Sequence, residues 1–244
     1  MSENTRYSVL DTESTGLKFF EGHRLIEVGI VEMIGSRTTG RTFHVYVDPL
    51  RDVPEEAYEI HGKSRDDCIQ LGNGQVFSDI ALDMLEFIGD STIVAHNAGH
   101  DIDFLDAELK HAGLKSLSEL GNPVVDTLTL ARAKYGPGKY NLDRLNNLLL
   151  GSAKIEREVH GALLDATILG EIFKVMQISQ AGMTFDTRAR LAGPVLTPER
   201  LSIPAGSLRT GVVTEDDQKR HQNLCERIKK SSGGSCLASG MEMR

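Results

Sequence analysis

The spacing of apolar positions changes several times along the chain. Tyr7-Ser8-Val9-Leu10 is a short β-prone run that stops at the acidic cluster Asp11-Thr12-Glu13. A turn-prone stretch around Gly16 and Gly22 follows. Leu25 to Ile34 and Thr42 to Val47 then read as two more strands, separated by Gly35 to Gly40. Three strands with short connections predict an antiparallel meander. From Val76 to Ile88 the apolar residues (Val76, Ile80, Leu82, Leu85, Phe87, Ile88) recur at helical spacing. Thr92 to Ala95 reads as a short buried strand ending at His96-Asn97, Ile102 to His111 as a helix, and Val124-Val125 as a strand. Thr127 to Lys134, Asn141 to Leu150 and Ala162 to Met176 complete the helical set. A meander followed by alternating strands and helices predicts an α/β domain built on a mixed sheet of five strands flanked by helices.

Beyond Met176 the pattern fades. Residues 179–207 contain Pro194, Pro198 and Pro204 with little apolar periodicity and read as a linker. Glu215 to Lys230 is polar with helical potential, and Ser231-Ser232-Gly233-Gly234-Ser235 follows it. The expected organisation is a domain over 1–178, a linker over 179–207 and an extended tail over 208–244.

Composition narrows this little. Hydrophobic residues make up 40% and charged residues 25% of the 244, an ordinary globular balance. No apolar run approaches the ~18–20 residues that span a membrane, and Met1 to Arg6 has no apolar segment suited to a secretory signal. Three cysteines (Cys68, Cys225, Cys236) form no paired framework and lack metal-finger spacing, so a reducing, cytoplasmic setting is expected. The net charge of −8 argues at first against nucleic acid, since binding by phosphate neutralisation wants a basic face. Carboxylates that hold divalent cations reverse this locally, because the cations become the largest charges present. Charge therefore leaves both classes open.

Candidate chemistry lies in three acidic groups. Asp11 and Glu13 stand two apart at the end of a predicted strand, so both carboxylates point to one side. Hard divalent cations are often held this way, although a solvated strand end looks the same. Asp101 opens a helix, where an acid is also favoured by the helix dipole alone. Asp103, Asp106 and His100 crowd the same turn, and spacing does not choose among them. His160 and Asp165 are five apart, which on one continuous helix separates them by about 140°. They converge only if His160 lies off the helix, a break that Gly161 permits. An imidazole beside a fixed carboxylate suits a general base. Four acids drawn together would repel and raise one another's pKa values unless cations bound there. That cost is wasteful for structure and apt for two-metal phosphodiester hydrolysis.

Read in order, these segments resemble the DEDDh 3′→5′ exonuclease family, and within it the proofreading subunits of bacterial replicative polymerases. The resemblance is carried by Val9-Leu10-Asp11-Thr12-Glu13-Ser14-Thr15-Gly16, Glu21-Gly22-His23, Ile26-Glu27-Val28-Gly29, Phe43-His44-Val45-Tyr46 and Ile60-His61-Gly62. His96-Asn97-Ala98-Gly99-His100-Asp101, Val125-Asp126-Thr127-Leu128 and His160-Gly161-Ala162-Leu163-Leu164-Asp165-Ala166 continue it, so that it covers about residues 6–176. It implies an RNase H-like fold and two divalent cations, Mg²⁺ or Mn²⁺, held by Asp11, Glu13, Asp101 and Asp165, with His160 as general base. It selects Asp101 over its neighbours. It implies that Thr15, His61, His96 and Asn97 join Asp11, Glu13 and His160 in contacting substrate, the 3′ end of single-stranded or frayed DNA. Ser14 and His100 depart from the family pattern, which usually has Thr and an aromatic there.

The tail adds two weaker resemblances. Gln180-Ala181-Gly182-Met183-Thr184-Phe185 is similar to a sliding-clamp-binding motif, with Gln180, Met183 and Phe185 as contacts. Gly233 to Leu237 is similar to the end of a segment that anchors to the DNA polymerase III catalytic subunit. The implied function is proofreading within a cytoplasmic replisome. Two other readings compete: a stand-alone nuclease trimming RNA or short oligonucleotides, and a non-catalytic subunit that stabilises a polymerase. The first would need its own basic or aromatic grip, which an acidic chain without tryptophan does not offer. The second leaves the clustered acids unexplained.

Overall fold

A computed structural model describes residues 4–156 and 159–181, together with Lys219, Gln222, Asn223 and Glu226. The chain divides into two units, Met1–Asp186 and Thr187–Arg244. In the second unit the four described residues are helical, within the span where a helix is expected. Residues 182–207 of the expected linker, including Met183 and Phe185, and most of the tail lie outside the described residues.

The first unit is built on the mixed five-stranded sheet that the sequence predicts, in the order β3-β2-β1-β4-β5. Strands β1 (Arg6–Ser14), β2 (Leu25–Ile34) and β3 (Arg37–Tyr46) form the antiparallel meander. Strand β4 (Thr92–Ala95) runs parallel to β1, and β5 (Val124–Asp126) parallel to β4.

Two strand boundaries differ from expectation. Strand β1 does not stop at Asp11 but continues to Ser14, because β2 pairs with it as far as Ser14↔Leu25, across a bulge after Glu13. The acids of the Asp11–Glu13 cluster therefore lie inside the strand. Strand β3 begins at Arg37, directly opposite Ile34, and leaves only two residues for the turn. Gly35, at φ 58°, takes the left-handed conformation such a tight hairpin turn requires.

Helices cover both faces. Helices α3 (Phe77–Ile88) and α4 (Gly99–His111) pack on one face, around Leu10, Val28, Ile30, Ile93, Met84, Phe104 and Leu105. Helix α8 (Ala162–Ala181) covers the other, against Tyr7, Val9, Val31, Val94, Ile168, Leu169 and Phe173. It runs past residue 178 and takes in Gln180. Along β1 the two cores draw alternate residues, as the pleat demands. No described helix is long and apolar enough to cross a membrane.

The remaining helices are short. α1 (Glu55–His61), α2 (Arg65–Leu71) and α5 (Leu117–Leu120) are too brief to show a period in sequence. Ser64 with Asp67 and Ser116 with Glu119 form capping boxes that start α2 and α5. After α6 (Thr127–Tyr135), the helix expected over Asn141 to Leu150 divides into α7 (Leu142–Leu145) and a π-helical turn over Asn146–Leu150. There the Asn146 side chain donates to Ile155 O and accepts from Ile155 N, which ties the turn to the chain beyond it.

Candidate active site

The register of the meander sets six positions side by side on the α8 face. Asp11 of β1 faces Gly29 of β2, which faces His44 of β3. One step along, Glu13 faces Glu27, which faces Tyr46. Cross-strand partners project to the same side, so two polar rows lie beneath the start of α8.

Gly29 is the gap in this array. A Cβ there would lie 2.3 Å from Leu163 N and 2.4 Å from the Ala162 carbonyl carbon. The first turn of α8 thus rests directly on the β2 backbone, an approach only glycine allows. This seat brings Asp165 down beside Glu13. Ligand atoms of Glu13, His160 and Asp165 all lie within 4.8 Å of one another.

His160 precedes α8, off the helix, as its convergence with Asp165 requires. Its Nδ1 is 3.3 Å from Asp165 Oδ2, and its backbone N–H donates to Ile60 O at 3.3 Å, which ties it to the end of α1. The imidazole is 43% exposed, whereas the Asp165 side chain is 4% exposed: a reachable base on a buried acid.

Asp101 arrives from the opposite face, in the first turn of α4. Thr12 Oγ1 donates to Asp101 Oδ1 at 2.8 Å, so the residue between the two strand acids holds the helix acid. Burial pushes the Asp101 pKa well above the usual carboxylate range, and the Thr12 hydrogen bond opposes the shift. Glu13 is raised further, to about 8, first by burial and then by the charge of Asp165; Glu27 and Asp101 add to the shift and His160 opposes it. Clustered, buried, oxygen-donating carboxylates that resist ionising together are a donor set suited to hard divalent cations. The residues present therefore fit such ions.

The residues expected to touch substrate lie around this cluster. Asn97 is exposed at φ 60°, a left-handed conformation stabilised by Asp126 Oδ1, which accepts from Asn97 N at 2.9 Å. His96 Nδ1 is 2.9 Å from Thr127 Oγ1, whose hydroxyl donates to Ala95 O, so Nδ1 carries the proton. Burial lowers the pKa of His96. His61 is buried at the end of α1, its Nδ1 accepting from Lys63 N at 3.2 Å, and burial lowers its pKa also. Thr15 is fully buried; its Oγ1 accepts from Arg24 N at 3.1 Å and meets His23 Nδ1 at the same distance. At the departure His100, the ring packs on Phe104 at 4.9 Å and continues an aromatic contact to Phe19.

The family profile described as Exonuclease matches residues 8–173. A DNA polymerase III subunit epsilon of Rickettsia conorii is 38% identical over 237 residues, covering 93% of this chain and 98% of that one. The chain belongs to the epsilon-subunit family of exonucleases. Another epsilon subunit, from Salmonella typhimurium, is 38% identical over 245 residues, 96% of this chain and 97% of its own. That of Rickettsia felis is 45% identical over 174 residues, 69% of this chain and 72% of its own. In fold, the chain is similar to two crystal structures of an E. coli ExoI–single-stranded DNA complex. The metal-free form has a TM-score of 0.61 at 15% identity, and the zinc-bound form 0.61 at 18%; each superposes 73% of this chain on 41% of that one.

In this epsilon-family chain three positions that contact or face the candidate site residues escaped the sequence reading: Thr12, Asp126 and Glu27. Glu27 carried the plainest signal, as an acid inside the otherwise apolar run Leu25-Ile26-Glu27-Val28-Gly29-Ile30-Val31. Thr12 and Asp126 sit in quoted motifs, but their bonds to Asp101 and Asn97 cross 89 and 29 positions of sequence, and no local pattern predicts them.

Proposed function

We propose that this chain is the proofreading subunit of a replicative DNA polymerase, hydrolysing DNA phosphodiester bonds one nucleotide at a time from the 3′ end. The observation that carries this reading is the convergence of Glu13, His160 and Asp165 from three elements, with Asp11 beside Glu13 on β1 and Asp101 held against Thr12. In this reading Asp11, Glu13, Asp101 and Asp165 hold two divalent cations, Mg²⁺ or Mn²⁺. Such ions, when bound, acidify a coordinated water and neutralise charge that develops on the phosphate.

The chain's own residues do the rest. His160, exposed at the rim and oriented by Asp165, accepts the proton of the attacking water. Asp11, Glu13, Asp101 and Asp165 would hold the cations that place the anionic scissile phosphate relative to that base. Asn97, on the exposed left-handed turn, and His96 beside it contact the terminal nucleotide. His61 and Thr15, both buried, shape the wall behind it. Partners in this reading are the DNA polymerase III catalytic subunit, through residues 208–244, and the sliding clamp, through Gln180, Met183 and Phe185. The setting is the cytoplasmic replisome.

The test is incubation of purified protein with end-labelled single-stranded DNA, and with paired and mispaired primers, in Mg²⁺. The expected result is shortening from the 3′ end, faster on mispaired than on paired ends. Intact substrate, or shortening from the 5′ end, would overturn the reading.

A further inference from the structure

Behind Glu13 lies a second carboxylate that the hydrolytic scheme does not use. Glu27 is 2% exposed and faces Glu13 across the β1–β2 pair. A buried, ionisable group so placed is costly unless partnered. Its partners come from β3: His44 Nε2 lies 2.8 Å from Oε1, and the Tyr46 hydroxyl donates to the same carboxylate. Glu27 is not one of the mutually close Glu13–His160–Asp165 group, although its charge acts on Glu13. The contacts with His44 and Tyr46 aim it at the loop before α8. A Cβ built on Gly161 would lie 3.8 and 3.9 Å from its two oxygens, so both oxygens lie beneath the peptide joining His160 to the helix.

A helix of twenty residues starts there. Its first N–H groups have no partner within the helix, and its N-terminal end carries partial positive charge. A carboxylate locked under that turn favours one position of the turn over others. The same turn fixes His160 on one side and Asp165 on the other. Gly29 lets α8 approach the sheet, but a missing side chain only permits contact and does not set its direction. Glu27 supplies the directional part.

We propose that Glu27, held by His44 and Tyr46, is a positioning residue that anchors the first turn of α8 and thereby aligns His160 for proton abstraction. The assignment of His160 as base rests on the proposed nuclease reading, whereas the anchoring of α8 does not. Glu27 itself touches neither substrate nor cation in this scheme.

The test uses the full-length protein with Glu27→Gln, which keeps the shape and removes the charge, and with Glu27→Ala. Two measurements are made. The first is amide hydrogen exchange over residues 162–166 without added metal. Exchange there should quicken by about tenfold in Glu27→Ala, and less in Glu27→Gln, while the strands of the sheet stay protected. The second is the single-turnover rate on single-stranded DNA, with His160 intact and in a His160→Ala background. Either substitution should lower the rate by about tenfold with His160 present and by less than about twofold without it, with KM unchanged in both, because coupled residues do not add. Unaltered exchange at 162–166 in both variants would overturn the anchoring role. An equal rate loss in both backgrounds would show that Glu27 does not act through His160. A wild-type protein that shortens no DNA defeats the nuclease reading alone, because the exchange measurement still decides the anchor.

Discussion

His160 Nδ1 lies 3.3 Å from Asp165 Oδ2, although a continuous helix would point the two side chains apart. The helix begins only at Ala162, and His160 reaches back over its first turn. This arrangement gives an exposed imidazole a fixed, buried carboxylate, the pairing a general base needs.

His160→Ala should therefore leave DNA binding intact and lower the single-turnover rate by roughly 10²–10⁴-fold, the range for losing a general base. The wild-type rate should rise with pH as the imidazole loses its proton. A variant that turns over at the wild-type rate would remove His160 from the mechanism.

Asp11→Ala, Glu13→Ala and Asp165→Ala should each come close to abolishing hydrolysis while the circular dichroism spectrum stays native. In a shared two-cation site, loss of one ligand disturbs both ions. Substantial activity in any of the three at matched Mg²⁺ would take that residue out of the site.

Without metal, stability should fall between pH 5.5 and pH 8.5, the range over which folded Glu13 gives up its proton. Glu13 has a pKa near 4.5 when unfolded and about 8 when folded. Between those values the folded chain keeps a proton that the unfolded chain has released, so the Glu13 contribution is fully present below the lower value and is lost as pH climbs toward the upper one. In EDTA the Tm should be lower at pH 8.5 than at pH 5.5, and Glu13→Gln should flatten the difference. Mg²⁺ or Mn²⁺ should restore more stability at pH 8.5 than at pH 5.5. A Glu13→Gln protein whose melting temperatures track the wild type at both pH values would contradict this.

Gly29→Ala should be severe for so small a change. Its Cβ meets backbone atoms of Ala162 and Leu163 at 2.3–2.5 Å, and neither can swing aside like a side chain. A cost of about 1–3 kcal/mol is expected from overpacking, with nearly complete loss of activity as Asp165 moves from Glu13. Urea unfolding and a nuclease assay together check it, and a fully active, stable variant would refute the seat.

Residues 1–186, which retain the first unit and the clamp-like motif, should still digest single-stranded DNA and bind the clamp. They should lose most affinity for the polymerase subunit, since residues 208–244 would carry the anchor. Residues 179–207 would then act as a tether, raising the local concentration of the nuclease to around the millimolar range. Equal pull-down of the polymerase by 1–186 and the full chain would defeat the tether. Unchanged clamp affinity in a full-length Gln180→Ala, Phe185→Ala double variant would defeat the clamp assignment.

The sequence by itself determined the elements and the candidate acids. Periodicity marked the meander, the β4 and β5 strands and the long helices, because burial on one face repeats every 2 or 3.6 residues. The spacing of Asp11 and Glu13 put both on one side of a strand, and Gly161 marked the break that frees His160. The tertiary structure decided what stands opposite what. Whether β1 ended at Asp11 or ran to Ser14 depended on its partner, β2, since pairing and not propensity fixes a strand's end. Short helices such as α1 and α2 gave no period to read. That Glu27 would face Glu13, that Thr12 would hold Asp101, and that Gly29 would seat α8 are matters of register and packing between distant segments. A one-residue slip between β1 and β2 would have sent Glu27 to the other face, and nothing local in either strand encodes that alignment.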